Sequence, residues 1–571
     1  MRHWALVAVP RVMTMFKPVN VNNRVAVDVP RLFGARQFAL LTALYICWAA
    51  IFVWRTSTIG VDGHRYFALF DDGMISMRYA RHLAEGLGPV WNVGQAVEGY
   101  SNPLWVAVMS LAVLLAGTRY APLLIQIVGL IFVVLSAHTI RASVSMVTAA
   151  ELPISYQRLA GFGAGALVYA YYPISFWALD GMEVSALTII VAISVWLTAR
   201  DSLGRQAYAC PWLVALSTLA YFLRPDGFLQ LTPLLLLSAW LMLERHEFRS
   251  MKITAAVAIV AVTLVSIHLL WRRNYYGELL PNTYMLKMQG YSLSLRLRNG
   301  LAFIAPYLLQ TGPGFIAASL ASIGLLPKSR VMLIGWGAVP LVAISYQIYV
   351  GGDPFLVWRQ LTPAFVAVAA LCGCGIAAAA HAGRMRWPDR RSGVFAVVAG
   401  AALAFVTCID VRFATQIVGM IVPYNVQRTH DQVRRALAWR QIAGPNATAL
   451  LFNAGTLPYF WDGKAYDALG KMDATIAKFK PDLSVAWDGM QGVPGHAKFD
   501  LNYSLATLKP DYVEKWVWFS QDMSGLVSTD YAAVTLREGG DVVLCVRKGS
   551  PNINWETVKT LGQCDSSAEA L

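Results

Sequence analysis

The chain has 571 residues, of which 57% are hydrophobic and only 14% charged, with a mean hydropathy of +0.49. Soluble globular domains carry roughly 25% charged residues, which excludes a single soluble enzyme and indicates a polytopic membrane protein, its backbone satisfied within helices because lipid offers no hydrogen-bond partner. The excess of 47 Lys and Arg over 33 acidic residues, a formal charge of +14, is the positive-inside bias of such a protein and not a nucleic-acid footprint.

Residues 1–36 scatter Arg2, Arg11, Lys17, Arg24, Arg31 and Arg36 with no compact apolar core followed by a cleavage site. They read as a basic cytoplasmic segment and not as a secretory signal. Apolar stretches follow at about 37–54, 102–117, 121–139, 161–178, 181–199, 208–223, 228–243, 251–270, 311–326, 331–350, 363–381 and 393–411; a crossing helix needs about 20 residues. Basic loops at Arg200 to Arg205, Glu244 to Lys252, Lys328 to Arg330 and Arg384 to Arg391, placed inside, turn the loops near 224–227, 271–300 and 351–362 and the tail from 412 outward. Twelve spans would return both ends to one side, so about eleven are expected, with 102–117 interfacial, re-entrant or half of a bent helix.

The expected organisation is therefore a cytoplasmic segment over 1–36, a transmembrane catalytic domain over 37–411 with an outer loop at 55–101, and an extracytoplasmic domain over 412–571. In the last of these, Ala449–Phe452, Tyr531–Leu536 and Val542–Val546 read as strands of an α/β or α+β unit. Of the seven cysteines, Cys47, Cys210, Cys372, Cys374 and Cys408 lie in or beside apolar runs as small hydrophobes. Cys545 and Cys564 could pair in an extracytoplasmic tail.

Charge is rare in membrane helices except where it functions, and here the outward connectors each hold a compact polar string. Asp71 and Asp72 open a helical pattern that stops at Gly86-Leu87-Gly88, so both sit where a helix N-terminus favours the ionised form. Such a carboxylate can take a proton from a hydroxyl, attack an anomeric carbon or hold a divalent cation; ordinary capping is the competing explanation. Arg78, Arg81 and His82 would lie along the interface and meet lipid phosphate, or equally form a solvated helix face. Arg224-Pro225-Asp226-Gly227 is either a tight turn or an arginine offered to a lipid-linked phosphate. Tyr275 to Lys287 brings aromatics, Asn282 and Lys287 into a long loop suited to sugar, and Asp353 follows two glycines with Arg359 near. No Walker loop, dinucleotide fingerprint or HExxH is present, so an activated substrate is expected to come from the lipid.

Asp71-Asp72-x-x-Ile75-Ser76-x-Arg78-Tyr79-Ala80-Arg81, continued by Val90-Trp91-Asn92 and Glu98-Gly99-Tyr100-Ser101-Asn102, resembles the first outer loop of the membrane arabinofuranosyltransferase family typified by mycobacterial AftB. Gly181-Met182-Glu183, Arg224-Pro225-Asp226-Gly227, Tyr276 to Tyr284, Gly351-Gly352-Asp353, Pro494-Gly495-His496-x-Lys498-x-Asp500 and Pro510-Asp511-Tyr512 follow in order, so that the resemblance covers most of 37–545. It implies a mainly α glycosyltransferase of the C-type membrane fold in a bacterial inner membrane. The activity implied is transfer of a pentofuranosyl residue from a polyprenyl-phosphate sugar donor to an acceptor glycan or glycolipid on the outer, periplasmic or extracellular, face. Asp71 and Asp72 become the catalytic pair, and the ligands of a divalent ion if one is used; no cofactor is required. Arg78, Arg224, Asp226, Asn282, Tyr284, Lys287, Asp353 and Arg359 are expected on the donor, with Arg224 and Lys287 assigned to its phosphate on charge. Glu98, Tyr100, Asn102, Glu183, His496 and Lys498 are expected on the acceptor, which the tail would help to hold. Pro354-Phe355-Leu356 stands where the family has a Trp, which leaves a mannosyl or other lipid-phosphate-sugar transferase as the alternative. A transporter or flippase would instead bury charge mid-span in two matched repeats, and no such halves correspond.

Overall fold

The computed structural model describes residues 33–204, 207–355, 357–386, 413–514, 529–537 and 541–565, with 398, 400 and 402. Helix α1 (Ala35–Thr56) leads through the short pair β1 (Thr58–Ile59) and β2 (Arg65–Tyr66) to α2 (Asp71–Ala84) and then α3 (Pro103–Thr148), α4 (Ile154–Ala170), α5 (Tyr172–Leu179), α6 (Val184–Leu203) and α7 (Ala209–Leu223). The bundle continues with α8 (Thr232–Glu244), α9 (Phe248–Tyr276), the short α10 (Asn282–Met288), α11 (Leu293–Leu325), α12 (Arg330–Val350) and α13 (Phe365–Arg386). Among the described residues eight helices are long and apolar enough to cross a membrane, or nine if α4 and α5, bent by 52°, form one span.

The difference from the expected eleven has identifiable sources. The stretches at 102–117 and 121–139 merge into α3, which breaks at Gly117 (φ 66°, ψ 169°), so 102–117 is half of a bent helix. Helix α7 has 15 residues, short for a 30 Å core, and 393–411 falls almost wholly outside the described residues, as do the basic residues of 1–32. Within the bundle, 89% of the apolar window of Thr362–Arg386 is buried against 6% for Phe248–Tyr276. Helix α13 is thus the central post and α9 an outer wall.

After residue 413 the chain forms α14 (Val426–Ile442), β3 (Thr448–Leu451), α15 (Thr456–Trp461), β4 (Lys464–Asp467), β5 (Ala486–Trp487), β6 (Met490–Gln491), β7 (Tyr512–Val513), β8 (Tyr531–Leu536), β9 (Val542–Arg547), α16 (Trp555–Leu561) and β10 (Gly562–Asp565). One sheet runs in the order β10-β8-β9-β7-β3-β4, with β3 parallel to β4 and β7 and the remaining pairs antiparallel. A helical membrane protein with a C-terminal α/β unit is therefore present, and three of its strands fall within a residue of the apolar strings expected to form them. Cys545 and Cys564 do not pair with each other: β8 lies between their strands, with Ala533 opposite Cys545 and Val534 opposite Cys564.

The basic face of α2 is turned mainly onto the C-terminal domain. Arg78 is 1% exposed and donates to the carbonyls of Trp91, Pro458 and Gly463. Arg81 reaches the Tyr459 carbonyl and Asp462, and His82 Nε2 lies 3.0 Å from Asp462. Pro458 and Tyr459 belong to short helix α15 and Gly463 follows its end, so α2 becomes the seam between bundle and domain.

Candidate active site

Asp71 and Asp72 occupy the first turn of α2, and the helix directs them to different partners. Asp71 Oδ1 accepts the N–H groups of Gly455 and Thr456 at 3.1 and 3.0 Å, closing the N-terminus of α15. Gly455 is obligatory there, since a Cβ would stand 2.0 Å from the Asp71 carbonyl oxygen. Burial pushes the Asp71 carboxyl up to about 7, against the lowering by the Thr456 N–H and Lys471.

Asp72 is held by cations. Lys471 Nζ lies 2.7 Å from its Oδ1 and Arg359 Nη1 2.7 Å from its Oδ2. Burial alone would raise its pKa, but Lys471 and Arg359 outweigh burial and hold the carboxyl well below the usual carboxylate range. Arg359 is fixed in turn by Asp353 Oδ2 at 2.8 Å and by the faces of Trp177 and Phe355. The αL glycines Gly351 and Gly352 (φ 93° and 82°) end α12 and turn Asp353 inward, where its Oδ1 accepts the Phe355 N–H at 3.1 Å.

Two cavities of about 480 Å³ each meet at this point, and Asp72 and Lys471 line both. The bundle-side cavity is walled by connector residues Tyr100, Asn102, Glu183, Arg224, Asp226, Tyr284, Lys287 and Arg359, and by apolar Val265 and Leu269 of α9, Leu280, Met288 and Val350. Five separated connectors thus converge, as their polar strings predicted. Arg224 is oriented by Glu183 at 3.0 Å and Asp226 at 3.1 Å. Lys287 has no hydrogen bond or ion pair among the described residues, and burial pushes its ammonium down to about 8. The domain-side cavity is lined by Phe355, Tyr424, Arg428, Asn453, Trp487 and His496, with Asp71. Burial, with Lys471 close by, lowers the His496 imidazole to about 3.

Several expected ligands are placed otherwise. Arg78 serves the seam and not a donor. Asn282 Nδ2 donates to the carbonyls of Gly470 and Lys471 at 2.8 and 2.9 Å, Lys498 Nζ to those of Met285 and Ala477, and Glu98 lies 2.8 Å from Arg272 with both side chains 2% exposed. These three are ties between elements and do not line either cavity. Tyr100, Asn102 and Glu183, expected on the acceptor, line the bundle-side cavity instead, and buried Asp353 acts through Arg359. The two aspartates do not fit a divalent cation: they diverge, and cations already occupy Asp72. Among the described residues no group of three or more His, Cys, Asp or Glu could hold a metal ion.

No protein-family model matches the chain. Over 331 residues, 51% of the chain, it is 26% identical to a terminal beta-(1->2)-arabinofuranosyltransferase of Corynebacterium glutamicum. Over 240 residues, 38% of the chain, it is 24% identical to the protein of that name from Mycobacterium tuberculosis. The chain is similar to the terminal arabinofuranosyltransferases. It matches less than half the length of these relatives, 45% and 34%. Among solved structures, ArnT from Cupriavidus metallidurans bound to undecaprenyl phosphate aligns with a TM-score of 0.48 at 13% identity, over 76% of this chain and 86% of that one. The Archaeoglobus fulgidus oligosaccharyltransferase tethered with an acceptor peptide aligns at 0.44 and 11% identity, over 95% and 78%.

Alongside this similarity stand residues that sequence reasoning missed, above all Lys471, with Tyr424, Asn453 and Trp487. Nothing in Ala468-Leu469-Gly470-Lys471-Met472 marks a functional lysine, and its contact with Asp72 spans 399 positions. The one available signal was a tail basic residue beside a turn glycine, too common to select.

Proposed function

We propose that the chain transfers a pentofuranosyl, arabinofuranosyl-like residue from a polyprenyl-phosphate donor to an acceptor glycan or glycolipid at the outer face of a bacterial inner membrane. In this reading residues 1–36 are cytoplasmic, 37–411 form the membrane catalytic domain, and the domain from 412 faces outward. The observation that carries it is the meeting of two equal cavities at one carboxylate among cations. The bundle-side cavity, with apolar Val265 and Leu269 and the cations Arg224, Lys287, Arg359 and Lys471 in its wall, suits an isoprenoid chain carrying a phosphate. The domain-side cavity offers aromatic faces and an amide, which suit a sugar chain.

The phosphate is a good leaving group, so the chain has two tasks: to steady the departing anion and to orient and deprotonate the acceptor hydroxyl. Lys287, Lys471 and Arg359 serve the first, with Arg224 as a further cation on the same cavity wall. Asp72 serves the second as general base, and Asp71, spent on α15, places α2. The similarity to terminal arabinofuranosyltransferases favours a pentofuranose. The test is transfer by the purified full chain in nanodiscs from a panel of polyprenyl-phosphate sugars, read by mass of the product glycan. A pentose increment from the arabinofuranosyl donor is expected; no transfer from any member overturns the reading.

A further inference from the structure

Both carboxylate oxygens of Asp72 are engaged by cations, Oδ1 by Lys471 and Oδ2 by Arg359, each at 2.7 Å. A carboxylate so held is a poor acceptor for a hydroxyl proton, which conflicts with its task as base. The two cations differ in freedom. Arg359 is clamped by Asp353 and stacked between Trp177 and Phe355. Lys471 has a fixed backbone, with Asn282 Nδ2 donating to its carbonyl and to that of Gly470, but its four-carbon stem opens on both cavities. Lys287, without a partner among the described residues, lies on the bundle-side wall that Lys471 also faces.

We propose that Lys471 is a positioning cation that changes partner during the cycle: it holds Asp72 before donor binding, then passes to the donor phosphate and frees Asp72 Oδ1 for the acceptor hydroxyl. The inference rests on the transferase reading above. As the bond from the sugar C1 to the phosphate oxygen breaks, its electron pair stays on the phosphate, whose negative charge grows and draws Lys471 further from Asp72. The acceptor oxygen forms the new bond to C1, and its proton goes to Asp72. The exchange is thus strongest in the transition state, where an interaction raises turnover. It also imposes an order, because the base is unmasked only after the donor phosphate has arrived.

The groups facing Asp72 are Asp71 on its own helix, Arg359 with Asp353 behind it, Lys287 from α10, and Lys471 and His496 from the C-terminal domain. Of these only Lys471 is proposed to change partner. The acid limb of kcat/KM for donor reports the free enzyme and that of kcat the donor complex. In the wild-type chain the kcat limb is expected at higher pH by about one unit or more, the usual effect of removing one neighbouring opposite charge. In Lys471→Met the two limbs coincide, with a roughly tenfold higher donor KM, as for the loss of one charged hydrogen bond; Lys471→Arg keeps the charge and restores the separation. A merely structural lysine would lower activity in both variants without moving the limbs relative to each other. Coincident limbs in the wild-type chain, or unchanged separation in Lys471→Met, overturn the exchange while leaving the transferase reading intact. Absence of transfer by the wild-type chain from every donor overturns both.

Discussion

The two cavities that meet at Asp72 have the same volume, about 480 Å³, and share almost no wall. One is lined by residues of α7, α9, α10 and α12, combining aliphatic side chains with arginine and lysine. The other is built chiefly from residues after 412, with aromatic rings, an amide and a neutral histidine. Neither half of the chain makes a reaction centre alone. In the proposed reading the bundle supplies a place for a charged lipid and the domain a place for a glycan, and α2 with Lys471 is where the two cavities are joined.

The largest expected effect comes from removing what both cavities share. Asp72→Asn should lower turnover by about 10²–10⁴-fold, the usual contribution of a general base, with a monodisperse, membrane-inserted protein by size-exclusion chromatography; wild-type turnover would refute the assignment. Next, Gly455→Ala drives a methyl into the Asp71 carbonyl and pries the two regions apart. It should reduce transfer by roughly 10²-fold, the effect of a misplacement near 1 Å, and raise hydrogen exchange in 455–461 above that of α13. A change confined to the bundle side is smaller. Lys287→Met should weaken the binding of a polyprenyl phosphate, the proposed donor lipid, roughly tenfold, the loss of one charged hydrogen bond. Because burial sets the Lys287 ammonium near 8, it is charged below that pH and neutral above. Wild-type affinity should therefore fall as pH rises past about 8, and this decline should be absent in Lys287→Met in a binding titration. The smallest effect is on the domain side: Trp487→Ala should raise the acceptor KM by roughly three- to tenfold, about the worth of one aromatic contact, without changing lipid-phosphate affinity.

Much of the bundle side was legible because its signals are local. Apolar runs mark helices, and a carboxylate, amide or arginine between two such runs stands out against lipid-facing sequence; Asp72, Arg224, Lys287 and Arg359 were found this way. The helix beginning at Asp71 follows from its periodicity, and the apolar strings Ala449–Phe452, Tyr531–Leu536 and Val542–Val546 lie within a residue of the observed strands. What failed was assignment across distance. Arg78 and Lys498 look like ligands in a string of polar residues, yet both are consumed by backbone carbonyls from elements far away in sequence. The reverse holds for Lys471, which looks ordinary and reaches Asp72. Long-range pairing of this kind has no period, and the domain-side wall is made almost entirely of it.

The seam along α2 also bears on how the protein is made. Arg78 needs the carbonyls of Pro458 and Gly463, and Asp71 needs the amides of Gly455 and Thr456, so the first turn of α2 reaches its final setting only after those later segments have folded against it. A growing polypeptide therefore stays inert while its earlier helices thread into lipid, and a premature stop before position 453 would leave an inserted but silent precursor.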